Sequence, residues 1–347
     1  MGVGSSSLYS GESYLGIGRE TTFGTYATAT AGIDFISASL KTVKDSKILE
    51  QVERKRTMSK VFQLGKTVQG DISLYFSPDV TAMAYVLQNA FGGSITSATA
   101  TGETIGGGAI THTFDTGSMN LTHTSLSVNH RKGPATGGKV WQYHGGRVNT
   151  LAFSAALDEP LQVNASLIFK DSTQLSNDIE SAMTSTAWES LSFANGRLSI
   201  ESSFASLTAS SSWCVQTINF TLNNNLKNDA SARCIGSDVL SVLPIGVQNY
   251  ELSCQIRFDT TTAYDAMING TELAGEFEFL GTTMSGSSIR KGLKVQFQKL
   301  TVKDAGDPEI GGPDESLIST VTFNVLRDES ATGYAVRALL TNNMTSI

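Results

Sequence analysis

The strongest constraint on this chain of 347 residues is a pattern that occurs twice. Residues 67–89, TVQGDISLYFSPDVTAMAYVLQN, run an alternating segment straight into a helical one. Residues 246–269, GVQNYELSCQIRFDTTTAYDAMIN, do the same. In the first copy Val68, Gly70, Ile72, Leu74 and Phe76 share one parity, with Gln69, Asp71 and Ser73 on the other. In the second copy Leu252, Cys254 and Ile256 alternate in the same way, and Phe258 closes the strand. Period two is the mark of a strand with one buried face. A recurring order of elements is the mark of duplication.

The flanks repeat as well. A strand at 35–40, with Ile36, Ala38 and Leu40 inward, precedes the first copy, and the strand TINFTL at 217–222 precedes the second. Each is followed by a polar arm, at 43–60 and 226–243. Downstream, two strands at 148–157 and 161–169 flank the turn residues Asp158, Glu159 and Pro160. A similar strand, acidic turn and strand follow from 291. Strands at 124–129 and 139–143 flank a Gly/Pro loop. The first helix spans 79–91, with Val80, Met83, Ala84, Leu87 and Phe91 on one face, Ser77 or Asp79 as its cap and Gly92–Gly93 as its stop. The second is capped by Asp259 or Thr260 and carries Ala263, Met267 and Ile268 inward. A weaker helix is expected over 175–191, and a loop over 94–108.

Composition supports a mainly β chain. There are 42 serines and 38 threonines, residues that favour strands and turns over long helices. Only 16% of residues are charged and the net charge is −7, which speaks against a basic nucleic-acid binder. Cys214, Cys234 and Cys254 are widely spaced, so they are expected as free buried thiols rather than a disulfide framework. No apolar run approaches the roughly 20 residues that span a bilayer, so no membrane partner is expected. Residues 1–13 carry no secretory pattern, which predicts assembly in a cytosol.

Several chemical motifs are incomplete. GPATGGK at 133–139 has Val140 where a phosphate-binding loop needs Ser or Thr, and strand residues follow it. His112, His123, His130 and His144 have no metal-ligand spacing. Asp158–Glu159 and Asp314–Glu315 read as turn charges. Trp141, Trp188 and Trp213 are too scattered for a sugar-binding platform. Neither catalysis nor a cofactor is expected.

Taken in order, four features make the chain resemble the tail tube proteins of long-tailed bacteriophages. They are the opening GIGRETTFGT at 16–25, a polar arm between the first two strands, a strand feeding a single helix, and a closing hairpin. The resemblance implies two tandem tail-tube-like β-sandwich or partial-barrel units, each flanked by one short α-helix. The expected division is an N-terminal arm at 1–30, a first unit at 31–172, a helical linker at 173–195, a second unit at 196–330 and a C-terminal tail at 331–347. It also implies trimeric rings of duplicated units with pseudo-sixfold symmetry, stacked into a conduit for DNA in the virion tail. The implied partners are other copies of the chain, a tape measure protein in the lumen, tail terminator and baseplate proteins, and double-stranded DNA in passage. A tail terminator, baseplate hub component or fibre subunit is the alternative.

A conduit that releases DNA must present few cations, because each lysine or arginine on a phosphate strengthens binding. The outward parity of the strands within this resemblance gives Ser37, Ser39, Lys41, Gln69, Asp71 and Ser73 from the first unit. From the second it gives Thr217, Asn219, Thr221, Asn223, Glu251, Ser253 and Gln255. The first arm holds Lys44, Asp45, Lys47, Glu50, Glu53, Arg54, Lys55 and Arg56, a mixed-sign set suited to fixing register between subunits.

Overall fold

The computed structural model describes residues 10–50, 54, 57–92, 95–102, 108–116, 125–134, 138–175, 189–258, 261–306, 316–330, 333–345 and 347. In the first half, β1 (Tyr14–Arg19), β2 (Ala31–Ile33), β3 (Ser37–Ala38), β4 (Lys41–Ile48) and β5 (Val61–Tyr75) lead into α1 (Thr81–Phe91). Next come β6 (Thr96–Thr99), β7 (Ile110–Asp115), β8 (Leu126–Lys132), β9 (Lys139–Ala156), β10 (Gln162–Phe169) and β11 (Asp171–Leu175). The second half holds β12 (Gly196–Glu201), β13 (Ser212–Trp213), β14 (Val215–Asn223) and β15 (Asn249–Arg257) before α2 (Thr262–Asn269). β16 (Glu272–Thr283), β17 (Arg290–Ala305), β18 (Ile318–Leu326) and β19 (Val336–Asn342) complete it.

Every described strand pair is antiparallel, and together they form one connected network. One run of that network has the order β3/β4–β5–β10–β9–β14–β15–β18–β17. Two further runs, β2–β1–β8–β9–β11 and β13–β12–β16–β17–β19–β7–β6, share β9 and β17 with it. The long strands β9 and β17 therefore pass from one sheet to another. Bulges accompany the passage, between Ser166 and Leu167 opposite β9 and between Val302 and Asp304 in β17. An extra residue bends and twists a strand locally.

The sheets face each other across one large apolar core, with smaller clusters beside it. Phe153 of the first half stacks on Phe220 of the second, with ring centroids 6.2 Å apart and planes at 19°. Phe277 of β16 packs edge-on or tilted against Phe153, Phe220, Phe279 and Phe297. The result is a mainly β, sandwich-like molecule whose core is shared between its halves.

α1 is buried almost all round, through Ala82, Met83, Ala84, Val86, Leu87, Ala90 and Phe91. Gly92, at φ 79°, terminates it in the left-handed region that favours glycine. Neither predicted residue caps its start. The N-cap is Val80, with no side-chain bond; the Ser77 Oγ accepts the amide of Glu189, and Asp79 pairs with Lys291 at 2.6 Å. Tertiary partners outcompeted the local cap.

Other expectations are corrected. Ile36 is 49% exposed, because β3 is a two-residue edge strand and the chain turns at its start; Ala38 and Leu40 do pack inward. Ile268 is exposed on α2, where Ala263 and Ala266 are the buried residues. The α2 N-cap is Thr261; Asp259 and Thr260 lie outside the described residues. Thr96–Thr99, expected in a loop, pair with β7. Cys254 is buried, and burial pushes its thiol up to about 12, whereas Cys214 and Cys234 are exposed. Most of the helix expected over 175–191 lies outside the described residues; Leu175 ends β11. Val336–Asn342, near the C-terminus, is a strand held between β17 and β7.

Candidate lumen face and assembly edges

The eight-stranded run carries one continuous polar face. Along each strand the buried residues alternate with it: Val68, Ile72 and Leu74 on β5, Ile218, Phe220 and Leu222 on β14, and Leu252 and Cys254 on β15. The registers then align the opposite parity into rows across the sheet. One row reads Ser37, Ser73, Asn164, Ala152, Thr221, Glu251, Asn324 and Thr301. The next reads Tyr75, Gln162, Ser154, Asn219, Ser253, Thr322 and Asp304. A third joins Asp71, Ser166, Thr150, Asn223 and Asn249.

These rows contain Ser37, Asp71, Ser73, Asn219, Thr221, Asn223, Glu251 and Ser253 of the sequence-predicted set. Ser39 sits beside Asp71, its amide donating to the Asp71 carbonyl at 2.9 Å and its Oγ accepting the Asp71 amide at 2.9 Å. Lys41 pairs with Gln69 at the edge, and Gln69 also meets Asn228 of the second arm at 3.4 Å. Thr217 and Gln255 pair with each other at the far end of β14 and β15. All thirteen side chains lie on the face away from the core, partly or fully exposed.

The structure adds residues to this face that the sequence reading did not single out. Lys303 lies 3.7 Å from Glu251, Asp304 joins the Ser253 row, and Arg257 continues the parity of Gln255. Lys41, Arg257 and Lys303 thus stand against Asp71, Glu251 and Asp304, so the face is balanced rather than acidic. Arg257 follows from the alternation of β15, whereas Lys303 and Asp304 do not follow from alternation, because the bulge at Lys303 shifts the parity of β17.

The first arm is a two-stranded ribbon of β4 and the start of β5, exposed on both sides. It presents Val43, Ile48, Val61, Phe62 and Leu64 to solvent, more apolar than expected. Such a ribbon is marginal on its own. Lys44 reaches Asp238 of the second arm at 2.9 Å, and that ammonium holds the Asp238 carboxyl below its usual range. Asp45 lies opposite a bulge of β5, where Leu64 and Gly65 fall between the partners of Lys44 and Ser46, and Lys47 pairs with Phe62. Glu50 and Arg54 are exposed, Arg54 with φ 55°. Glu53, Lys55 and Arg56 lie outside the described residues.

The second arm, at 226–243, lies back on the first half. Ala232, Leu240 and Leu243 pack with Ile168 and Phe23. The Lys66 amide donates to the Asp238 carbonyl at 2.7 Å, and Arg233 donates to the Lys66 carbonyl at 2.9 Å. Arg147 donates to the Leu243 carbonyl at 2.6 Å, and the Leu226 amide donates to Asn149 Oδ1 at 2.9 Å.

The segment GIGRETTFGT builds part of this seat. Glu20 is fully buried, and its carboxylate accepts from Ser125 Oγ (2.5 Å), Ser127 Oγ (2.7 Å), the Gly145 amide (2.8 Å) and the Gly24 amide (2.9 Å). A buried charge persists only when bonded in this way. It fixes the turn that carries Phe23 under Arg147, 5.0 Å from the ring centroid.

Among the described residues no cluster of metal ligands forms. After Gly133, Pro134 and Gly138 the chain continues as β9, so the glycine-rich loop does not open a helix.

An antiparallel sheet with one polar face and with edges that lack a partner strand among the described residues is the architecture of a protein that can extend its sheet by strand pairing. The family model for the phage tail tube protein matches residues 11–325, and the chain belongs to that family. Its role is accordingly structural rather than catalytic, in the phage tail. No curated protein matches the chain.

Proposed function

We propose that the chain is a tail tube subunit made of two tandem copies of one sheet-plus-helix unit. Three chains close into a pseudo-sixfold ring, and rings stack into the conduit through which genome DNA leaves the virion. The polar face of the eight-stranded run lines the bore, with the thirteen residues named above on it.

One observation carries this reading: β9 of the first half pairs with β14 of the second, from Thr150–Asn223 to Ala156–Thr217, and so carries a single polar face across both halves. The duplication itself is supported by matched pairings. β5, β10, β9, β8, β1 and β11 are linked in the first half as β15, β18, β17, β16, β12 and β19 are in the second. The bulges coincide too. Leu126 and Val128 oppose Gly146 and Tyr143, while Leu273 and Gly275 oppose Leu300 and Phe297, with the same spacing.

A bore of neutral polar groups and balanced charges gives phosphates few places to displace counterions, which suits passage without retention. Before ejection the same bore holds the tape measure protein. The arms mediate subunit contacts, and the tube ends meet terminator and baseplate proteins. Assembly takes place in the host cytoplasm.

Electron microscopy of the concentrated protein tests the reading. Long hollow tubes with threefold cross-section support it. Single unstacked rings favour a terminator or hub component, and monomers at every concentration refute it.

A further inference from the structure

The β9–β14 join is a template for the contact between chains. The Phe76 amide donates to the Leu161 carbonyl in the first half, and the Phe258 amide donates to the Leu317 carbonyl in the second. These matched bonds equate Phe76 with Phe258 and Leu161 with Leu317. Carrying the registers outward equates Ala165 with Val321, and therefore their partners Leu151 with Ala305. On the other side it equates Val68 with Tyr250, and therefore their partners Thr42 with Leu222. The two bulges obey the same equivalence. The residue extruded at the β9–β10 bulge, Asn149, falls on Lys303, the residue extruded at the β17–β18 bulge.

Two edges of the eight-stranded run have no described partner strand: β4 on the side away from β5, and Val302–Ala305 of β17 on the side away from β18. In the template Leu151 faces Leu222 and Thr150 faces Asn223. We propose that a second copy of this chain docks there, its β4 antiparallel to the end of β17, with Thr42 opposite Ala305 and Val43 opposite Asp304. The inference rests on the ring reading and names the register of its joint.

Side chains fit the join. Thr42 and Ala305 fall on the core side, and Val43 and Asp304 on the opposite side, so the alternation of the sheet continues across the joint. In the template, Asn149 receives the Asn224 amide on its carbonyl at 2.7 Å and the Leu226 amide on its side chain. The equivalent contact sets Lys303 against residues 44–46 of the incoming chain. There Lys44 is held by Asp238, so Asp45 is the carboxylate that meets Lys303, which also lies 3.7 Å from Glu251 of its own chain.

The Asn224–Asn149 bond makes Thr150–Asn223 the non-hydrogen-bonded pair, the geometry with the closest side chains. Val43→Cys with Asp304→Cys, in a background of Cys214→Ser and Cys234→Ser, should therefore oxidise between chains. The expected result on a non-reducing gel of assembled protein is covalent dimer and closed trimer. The displaced pair Lys41→Cys with Asp304→Cys should remain monomeric. Lys303→Glu should raise the concentration needed for assembly roughly three- to five-fold, with Asp45→Lys restoring it. Rings or tubes seen by microscopy without the Val43–Asp304 link, or with the displaced link instead, overturn the register and leave the ring reading standing. Absence of any assembly, in the unmodified chain as well, overturns both.

Discussion

Ser154 Oγ donates to Asn219 Oδ1 across 2.9 Å, and this bond on the polar face joins the first half of the chain to the second. Directly beneath it, on the core side of the same two strands, Phe153 opposes Phe220. The halves are therefore fastened by a sheet ladder above and a shared aromatic cluster below.

Calorimetry should accordingly show one cooperative transition for the isolated chain rather than two. Phe220→Ala removes a fully buried ring that touches Phe153, Phe277 and Phe297. Its expected cost is about 3–5 kcal/mol. Two well-separated transitions, or a loss confined to one of them, would contradict the shared core.

Glu20→Gln tests the buried carboxylate. The substitution places an amide donor among two hydroxyls and two backbone amides that all donate to the native oxygens. Loss of charged hydrogen bonds and one clash of donors predicts destabilisation of about 2–4 kcal/mol, read as a lower urea midpoint at constant slope. Phe23 loses its fixed position, so the second arm should also gain amide exchange.

Acid should weaken the fold through its histidines. Burial, and then the charge of Lys132, lower the His130 imidazole to about 4, and burial also lowers His112 and His144. His112 lies between Ser97 Oγ (2.8 Å) and Asn342 Oδ1 (3.1 Å); burial lowers it although the bond to Asn342 acts the other way. Between pH 6.5 and 4 the unfolded chain binds protons that the folded chain refuses, so stability rises with pH across that window. It is lost as the pH falls, by about 3 kcal/mol from His130 alone. Urea midpoints at pH 7 and 4.5 measure the slope, and His130→Gln should flatten it. An unchanged slope in that variant would assign the effect elsewhere.

Lysines placed on the polar face should convert it into a DNA trap. Asn219→Lys with Ser253→Lys lies on one row and leaves the core side untouched. Assembled protein carrying them should retain double-stranded fragments at low salt and release them as salt rises, with a log–log slope steeper by about 0.9 per phosphate contacted. The unmodified assembly should retain none under the same conditions.

The parity of the central strands was legible because it is local. Ile72 and Leu74, like Leu252 and Cys254, declare their buried face within a few residues. The edge was not legible: Ile36 has the right period, but its strand is too short to hold it against the core. Helix starts failed for a related reason. Ser77 and Asp79 are good caps in isolation, yet Glu189 and Lys291, more than a hundred residues away, take their side chains. The role of Asn224 was equally hidden. Its Nδ2 donates to the carbonyls of Ala90 and Val148, tying the end of α1 to the second half. The thirteen face residues follow from alternation alone; Lys303 and Asp304 needed the bulge, which shifts parity by one and has no sequence signature here.

The β9–β14 ladder lies within one polypeptide, so it forms at a rate set by chain diffusion and not by protein concentration. In the proposed ring, every second junction is thus made before any two molecules meet, and closure becomes an encounter of three bodies instead of six. Dilution should act only on the remaining junctions, and a disassembling tube should shed whole chains along those lines.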